Sequence, residues 1–339
     1  MKKILIIRFS SIGDIVLTTP VIRCLNRQLR DTEIHVLTKV AYQSIYSANP
    51  NVAKVIVMKH DLKEVMPELR GERYDFVVDL HRNWRSLWVR MALRCHSSSF
   101  PKLDFQKFLY AKMKLGTLPK VHVVDRYFEA VKKLGVINDG EGLDFYIPES
   151  DVIRMEDLPE GFRDGFVAIV IGGQHNTKIL PINKVVEVCR NLGCPVILVG
   201  GPEDVSRGDA IVDAVGPSVY NSCGQFRLGQ SASLLNLADV VIANDTGMMH
   251  IAAALRKRMV TVWGNTVPEF GMFPYLPKGM EPAVIIENKA LPCRPCDKLG
   301  YERCPKGHFN CMNGLDAKEI AEKTKARLSP GLRSGTSGN

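Results

Sequence analysis

The sequence of 339 residues contains few aromatic side chains and no long apolar run. Aromatic residues make up 7% of the chain, which counts against proteins that stack nucleic-acid bases on rows of aromatic rings. No stretch approaches the ~20 apolar residues that a membrane-spanning helix needs. The apolar run Ile4–Ile7 is interrupted by Arg8 and then by Asp14, which is too early for a secretory signal. We therefore expect a cytoplasmic protein.

Two familiar nucleotide-binding patterns are also missing. The segment after the first apolar run lacks the G-x-G-x-x-G spacing of dinucleotide folds, and no G-x4-G-K-[ST] loop occurs near Gly172 and Gly173. These absences count against a dinucleotide enzyme and a nucleoside triphosphatase. A phosphate group would have to be bound by other glycine turns and helix ends.

The apolar content is nevertheless high enough for a large core. Apolar residues make up 45% of the chain and charged residues 24%, which excludes wholesale disorder, and the length suggests two domains. Short apolar runs alternate with amphipathic stretches, which predicts an α/β fold of doubly wound parallel sheets. Strands are predicted over residues 3–9, 33–38, 52–58, 74–80, 166–171, 195–199, 239–243 and 259–263, and helices over 14–29 and 316–328.

An acidic segment from Ser150 to Gly165, which contains Pro159 and Gly161, interrupts this alternation and predicts an interdomain linker. The alternation then restarts, so the same architecture is expected twice. The predicted parts are an N-terminal domain over residues 1–155, a C-terminal domain over 160–315, a helix over 316–330 and a flexible tail over 331–339.

The net charge of +9 comes from one region. Residues 81–133 contain twelve Lys or Arg and three Asp or Glu, while the rest of the chain has equal numbers of each. A localised excess favours an anionic partner met by one face, although a solvated basic surface is an equally good reading of a charge run alone.

In open α/β sheets, ligands bind beyond the carboxyl ends of the strands, so the strand–helix junctions are the candidate sites. The first junction contains Ser10, Ser11, Gly13 and Asp14. Asp14 is the only acid there and lies in a bare, glycine-flanked position. It is either a general base or an ordinary first-turn helix residue, because position alone does not separate these roles.

The second and third junctions combine glycine turns with charged side chains. Gly172 and Gly173 follow a strand and allow backbone N–H groups to approach an anion, with Lys178 close in sequence. Glu203 and Asp204 follow the next glycine turn. One of them is suited to a ribose hydroxyl, but a helix N-cap explains such residues equally well.

The fourth junction is the most informative. An apolar strand ends at Asp245, Thr246 and Gly247, and a helix rich in small residues follows, with His250 in its first turns. The free N–H groups at the start of this helix suit a diphosphate. A capped helix with a packed histidine is the simpler alternative.

Nine cysteines fall into two groups. Five are scattered and are predicted to be buried thiols in a reducing compartment. The remaining four have the spacing C-x2-C-x7-C-x6-C, which is typical of a structural zinc site with four thiolates. These candidate ligands are Cys293, Cys296, Cys304 and Cys311.

Taken in order, the R-x-S-S-I-G-D, G-G…T-K-x-x-P, V-G-G-P-E-D and N-D-T-G-x-x-H segments resemble glycosyltransferase family 9, the ADP-heptose:lipopolysaccharide heptosyltransferases. The resemblance runs from about Lys2 to Leu328. It implies a GT-B fold, with two Rossmann-like domains facing each other across a cleft. It also implies inverting transfer of heptose from ADP-heptose to the inner core of lipopolysaccharide, without a catalytic cofactor. One departure is Leu180 before Pro181, where the family often has an aromatic residue.

The resemblance assigns roles to the junction residues. Asp14 matches the catalytic base, and Ser10, Ser11 and Gly13 lie beside it on the acceptor side. Arg126 resembles an acceptor-side arginine, and Arg82 and Arg85 are predicted to join it in binding carboxylates or phosphates. The implied donor-binding residues are Gly172, Gly173, Thr177, Lys178, Glu203, Asp204, Asp245, Thr246, Gly247, Met248 and His250.

The implied acceptor is an anionic glycolipid, Kdo-lipid A or the inner core, met at the cytosolic face of the inner membrane. Trp84, Leu87 and Trp88 near the basic residues suit either lipid contact or, more simply, core packing. Rival functions are another GT-B nucleotide-sugar enzyme, with a different donor or an epimerase activity, and a basic nucleic-acid-binding protein. Because no RNP or helix-turn-helix pattern occurs, we expect no nucleic-acid partner.

Overall fold

A computed structural model describes residues 2–334 of the chain, with side chains up to residue 332. Within this part, parallel strands form two separate sheets flanked by helices. The strands are β1 (Lys2–Ile7), β2 (Thr32–Lys39), β3 (Lys54–Met58), β4 (Phe76–Asp79), β5 (His96–Ser99), β6 (Val167–Val170), β7 (Val196–Val199), β8 (Val219–Asn221), β9 (Val240–Asn244), β10 (Arg258–Trp263) and β11 (Val284–Glu287).

The first sheet has the order β3-β2-β1-β4-β5. Its central strand β1 is apolar on both faces, as expected for a strand covered by helices on both sides. Ile7 pairs with Leu37 on one side and with Asp79 on the other. The chain segments that leave β1 and β4 therefore begin side by side at one edge of the sheet.

The second sheet has the order β11-β10-β9-β6-β7-β8. Its inner strands β6, β7 and β9 are buried throughout. Because β10, β9 and β6 are neighbours, the segments that follow them share the carboxyl edge of this sheet. The predicted α/β fold of doubly wound parallel sheets is confirmed.

The helices lie between the strands, as the alternating pattern predicts. Their bounds are α1 (Ile12–Val16), α2 (Thr19–Gln28), α3 (Gln43–Ser47), α4 (Leu62–Gly71), α5 (Trp84–Leu93), α6 (Asp104–Phe108), α7 (Val123–Phe128), α8 (Ile182–Leu192), α9 (Val205–Val215), α10 (Leu228–Leu237), α11 (Gly247–Ala254), α12 (Asn310–Asn313), α13 (Ala317–Lys325) and α14 (Pro330–Ser334).

Two helix predictions need correction. The helix predicted over residues 14–29 is divided into α1 and α2, because Pro20 lies in the first turn of α2, where proline starts a helix instead of continuing one. The tail predicted to be flexible from residue 331 is helical in α14, and Leu332 packs against the core of the second sheet. Residues 335–339 lie outside the described part of the chain.

The chain divides into two compact units. Unit 1 comprises residues 1–103 and 120–146, and unit 2 comprises 104–119 and 147–339. This division differs from the predicted domains, because residues 104–119 and the predicted linker belong to unit 2. The linker is packed there, with the Ile153 N–H donating to Ser233 Oγ at 2.8 Å.

The basic region is divided in the same way, so its charge does not belong to one half of the chain alone. Lys112 and Lys114 lie in unit 2, where Lys112 pairs with Asp297 at 3.1 Å. Among the helices of the described residues, none has the length and hydropathy to cross a membrane.

Candidate active site

An ion pair lies at the carboxyl edge of the second sheet. Lys178 Nζ is 2.7 Å from Asp245 Oδ2, and the hydroxyl of Thr266 donates to the same oxygen at 2.8 Å. Both members of the pair are largely buried. Since three segments leaving β6, β9 and β10 meet in these contacts, the ammonium group is fixed in position at this edge.

The loop that carries Lys178 is attached to β9 by Asn244. The Asn244 side chain donates to the Val170 carbonyl at 2.9 Å and accepts from the Leu180 N–H at 3.1 Å. Leu180, which departs from the family pattern, is buried. Thr177 is also buried, and its hydroxyl accepts from the Tyr301 N–H at 2.8 Å. Thr177 therefore positions the loop.

The two glycines after β6 are required by close packing. A Cβ atom at Gly172 would lie 2.2 Å from Asp204 Oδ2, and one at Gly173 would lie 3.0 Å from Thr246 Cγ2. A side chain at Gly172 would therefore displace the Asp204 carboxylate, and one at Gly173, where the turn passes close to the start of α11, would push against the Thr246 methyl group.

Helix α11 begins beside this turn with Thr246 as its N-cap residue. The Thr246 Oγ1 atom is buried and has no hydrogen-bond partner within the described part of the chain. His250 is buried inside the helix, whereas Gly247 and Met248 in the first turn are partly exposed. The helix start therefore offers backbone N–H groups and one buried hydroxyl to an anion.

Asn265 lies in the segment after β10, and the sequence reasoning missed it. Its side chain is 1% exposed, and neither its amide nitrogen nor its amide oxygen has a partner among residues 2–334. The adjacent Thr266 is the residue that binds Asp245. A polar residue directly after a predicted strand, at the edge shared with the other junctions, is the signal that would have identified it.

The structure distinguishes between Glu203 and Asp204. Asp204 is buried, accepts from the Gly201 N–H at 3.0 Å and pairs with Arg207 at 2.5 Å, and burial raises the pKa of its carboxyl group. It stabilises the turn before α9. Glu203 is exposed. Only Glu203 presents its carboxylate at the surface.

In unit 1, Asp14 lies in the first turn of α1. Its Oδ1 is 2.7 Å from a guanidinium nitrogen of Arg8, and its Oδ2 accepts from the Ser11 hydroxyl at 3.1 Å. The side chain is 29% exposed. The expectation of a bare carboxylate is therefore wrong. Gly13 is buried beneath this turn, and the Ser10 carbonyl accepts from Arg8 Nε at 2.8 Å.

Arg8 was not among the predicted site residues. It is 7% exposed and also donates to the Leu80 carbonyl at 2.5 Å and to the Tyr127 hydroxyl at 3.2 Å. Burial alone would lower its pKa, but Asp14 and Tyr127 outweigh that effect, and the pKa of Arg8 is raised. A charged residue at the end of an apolar strand is a sequence signal for such a group. Arg8 positions Asp14.

His81 lies beside this group, and its ring packs edge-on against Phe9 at 4.9 Å. Burial, followed by the positive charges of Arg8 and Lys102, lowers the pKa of His81 to about 3. The imidazole is therefore neutral at physiological pH.

The predicted acceptor arginines occupy different environments. The Asp79 carboxylate accepts from the Arg82 N–H at 2.7 Å and shapes the loop after β4. Arg82 and Arg85 are exposed on this loop and at the start of α5. Arg126 is 4% exposed and donates to the Lys102 carbonyl at 3.3 Å. Arg82 and Arg85 are therefore accessible, whereas Arg126 supports the chain near Lys102.

The interpretation of Trp84, Leu87 and Trp88 as core residues is wrong. They are 72%, 48% and 37% exposed and lie on the outer face of α5. The opposite face of the helix, with Ser86 and Val89, is buried.

The four clustered cysteines do not form a tetrahedral set. The Cys296 thiol donates to the Cys293 carbonyl at 3.1 Å, and Cys293 Sγ is 3.9 Å from His308 Nε2. Burial and the neighbouring thiols raise the pKa of Cys311 to about 11. Among the described residues, no group of three or more His, Cys, Asp or Glu side chains is placed to hold a metal ion. The described residues therefore do not show the predicted zinc site, which stays a proposal.

Comparison with known proteins identifies the family and supports the fold. The sequence model of glycosyltransferase family 9 (heptosyltransferase) matches residues 63–300. Lipopolysaccharide heptosyltransferase 2 of Escherichia coli K12 is 23% identical over 305 residues, which cover 79% of this chain and 84% of that protein. The family 9 glycosyltransferase of Veillonella parvula is 21% identical and superposes with a TM-score of 0.77, covering 96% and 97% of the two chains. The E. coli heptosyltransferase WaaC with ADP-2-deoxy-2-fluoro heptose is 19% identical and superposes with a TM-score of 0.64, covering 94% and 98%.

Proposed function

The chain belongs to glycosyltransferase family 9, and we propose that it transfers a heptose, with inversion, from ADP-heptose to the inner core of lipopolysaccharide. The observation that carries the proposal is the Lys178–Asp245 pair beside the start of α11, where the Thr246 hydroxyl is buried without a partner in residues 2–334. The E. coli relative is a lipopolysaccharide heptosyltransferase, and WaaC was solved with an ADP-heptose analogue, which supports this donor and acceptor class.

The diphosphate of the donor is bound at the carboxyl edge of the second sheet. The N–H groups at the start of α11 and the Lys178 ammonium contact its oxygens, and Thr246 donates its hydroxyl. As the bond from the anomeric carbon to the diphosphate breaks, negative charge accumulates on the leaving ADP. Positive groups already fixed in position stabilise that charge without reorganising.

The nucleoside and sugar contact the residues around this site. Glu203 accepts from ribose hydroxyls, because its carboxylate is exposed while that of Asp204 is occupied by Gly201 and Arg207. Asn265 contacts a donor hydroxyl or phosphate through its buried amide, which offers one acceptor and two donor hydrogens.

Asp14 is the general base. It takes the proton of the acceptor hydroxyl while that oxygen attacks the anomeric carbon on the face opposite the leaving ADP, which inverts the configuration. Arg8 contacts Oδ1, and both the hydroxyl and the backbone N–H of Ser11 donate to Oδ2, so these two residues orient the carboxylate.

The acceptor is recognised by its anionic groups. Arg82 and Arg85 are exposed. One Arg82 nitrogen donates to the Phe100 carbonyl at 3.0 Å, and the other N–H groups of the two guanidinium groups can bind carboxylates or phosphates of a Kdo-bearing glycolipid. Arg126 contributes indirectly, through its contacts with the carbonyls near Lys102. Since such an acceptor is embedded in lipid, the enzyme works at the cytosolic face of the inner membrane.

The proposal is tested by incubating the purified protein with ADP-heptose and a Kdo-bearing core acceptor and detecting heptose addition by mass spectrometry. A thermal-shift panel of ADP, UDP and GDP sugars compares the donors. We expect the ADP-sugar to stabilise the fold most. Preferential stabilisation by UDP or GDP sugars, with no heptose transfer, would identify a different donor within the same fold.

Structural zinc in the cluster Cys293–Cys311 is a separate proposal. Its support is the C-x2-C spacing and the mutual electrostatic influence of the four thiols. Metal analysis of protein purified without chelators is expected to find zinc in a one-to-one ratio with the chain. A value well below that ratio rejects the proposal.

A further inference from the structure

Helix α5 is apolar on both of its faces. Its inner face packs against the core of the first sheet through Val89, with Ala92 and Leu93 beside it. Its outer face carries Trp84, Leu87, Trp88 and Met91, at the i, i+3, i+4 and i+7 positions of one helical stripe. A helix at the surface of a globular domain normally has a polar outer face, so this stripe needs an explanation.

The exposure along the stripe is large. Trp84 is 72% exposed and Met91 is 61% exposed. Trp88 and Met91 of the stripe also line an open groove of about 580 Å³, together with Ala92 and the two arginines Arg70 and Arg94. The apolar stripe is therefore flanked by positive charge.

Arg70, Arg85 and Arg94 are exposed, and no ion pair joins any of them to the side chains described up to residue 332. Arg85 lies over the Trp84 ring, 5.3 Å from its centroid. Tryptophan flanked by arginine is the combination that favours the boundary between lipid head groups and acyl chains. The arginines complement the negative surface of a cytoplasmic leaflet.

We propose that the outer face of α5 is a membrane-docking surface that inserts Trp84, Leu87, Trp88 and Met91 into the head-group region of an anionic phospholipid bilayer. The inference deepens the proposed function, because it names the surface through which the enzyme meets a membrane-borne acceptor. It does not depend on the sugar that is transferred. The helix starts directly after the loop of Arg82, so docking brings the proposed acceptor arginines to the lipid surface.

The test is flotation of the purified full-length protein with two kinds of vesicle, phosphatidylcholine alone and phosphatidylcholine with phosphatidylglycerol. The wild type is expected to float with the anionic vesicles and to bind the neutral ones at least tenfold more weakly, because each arginine near an anionic surface adds to the affinity. The double variant Trp84→Ser, Met91→Ser is expected to lose at least about tenfold in affinity for anionic vesicles.

The matched control is Ile137→Ser, because Ile137 is also 72% exposed and lies in unit 1 but outside α5. It is expected to bind vesicles like the wild type. The variant Arg70→Glu, Arg94→Glu is expected to lose preference for anionic over neutral vesicles. If the Trp84 and Met91 variant binds like the wild type, or if the wild type binds neither vesicle, the proposal is overturned.

A spectroscopic readout reports insertion directly. The chain has three tryptophans, and Trp263 is fully buried, so a vesicle-induced blue shift of fluorescence arises from Trp84 and Trp88. The variant Trp84→Phe, Trp88→Phe is expected to bind vesicles without the shift. A different result would identify the face as a contact between two copies of the chain and overturn the proposal. In that case the wild type is a dimer, the Trp84→Ser, Met91→Ser variant is a monomer, and neither protein binds vesicles.

Two acceptors separate this inference from the proposed function. The Trp84→Ser, Met91→Ser variant is expected to transfer heptose normally to a delipidated, water-soluble core acceptor and more slowly to an acceptor in vesicles. If this variant transfers heptose to the acceptor in vesicles as fast as the wild type does, docking through α5 is contradicted. Vesicle binding by a wild type that transfers heptose to neither acceptor would refute the proposed function and leave the docking surface supported.

Discussion

Removing the positive charge of Lys178 is expected to weaken catalysis strongly. At about 4 Å and an effective dielectric constant of about 20, its ammonium stabilises a unit negative charge by about 4 kcal/mol. Lys178 is largely buried, so water does not replace this contribution fully. Lys178→Met keeps the apolar stem and removes the charge. We therefore expect kcat/KM for the nucleotide sugar to fall by about 10²- to 10³-fold.

Part of that loss comes from Asp245. Without Lys178, its carboxylate keeps the Thr266 hydroxyl but repels the diphosphate. The double variant Lys178→Met, Asp245→Asn removes the repulsion, and it is expected to bind ADP about tenfold more tightly than the single variant in calorimetric titrations. Lys184→Met is the control, because Lys184 pairs with Glu187 on α8, outside the site. Activity of Lys178→Met within threefold of the wild type, or still weaker ADP binding by the double variant, would refute this reasoning.

Three further predictions concern single residues. Glu203→Gln is expected to weaken ADP binding about tenfold, measured by calorimetry, at an unchanged melting temperature. Asp204→Asn is expected mainly to lower the melting temperature, because it disturbs a buried carboxylate. The reverse pattern would contradict the assignment of Glu203 to the ribose. Asn265→Ala is expected to weaken ADP-heptose binding without loss of stability, and a loss of stability at unchanged affinity would count against a ligand role. His81 has a pKa of about 3 in the folded chain against about 6.5 unfolded, so the unfolded state takes up the proton first and stability is lost as the pH falls below about 6.5. Urea midpoints at pH 7 and pH 5 are expected to differ less in His81→Gln than in the wild type, and an unchanged difference would show that His81 is not responsible.

The interior strands were predictable from sequence, and of the four edge strands only β3 was. β1, β6 and β9 are apolar runs because helices cover both of their faces. The missed strands β5, β8 and β11 all lie at sheet edges. β5 reads His-Ser-Ser-Ser and β8 has three residues, so neither has the long apolar pattern that marks a buried strand.

The residues of the candidate site were predictable because ligand-binding side chains follow the carboxyl ends of parallel strands. The contacts between these side chains were not predictable. Asp14 and Arg8 are six residues apart in sequence, but burial of Arg8 depends on Leu80 and Tyr127, which no local pattern connects to it. The exposure of the outer stripe of α5 was not predictable, because apolar residues at helical spacing give the same sequence pattern whether they face a core or solvent.

The measurement that tests the central claim most directly is the turnover of Asp14→Asn. Asparagine keeps one oxygen to accept from Arg8, and its amide N–H can donate to the Ser11 hydroxyl oxygen, so the buried guanidinium stays hydrogen-bonded although it loses its counter-charge. The substitution removes the base. We expect heptose transfer to fall by at least about 100-fold in a variant that is still folded at the assay temperature, with affinities for ADP-heptose and acceptor close to those of the wild type. The melting temperature is expected to fall, because Arg8 is buried and loses its charged partner. Near wild-type turnover by this variant would contradict the assignment of Asp14 as the general base.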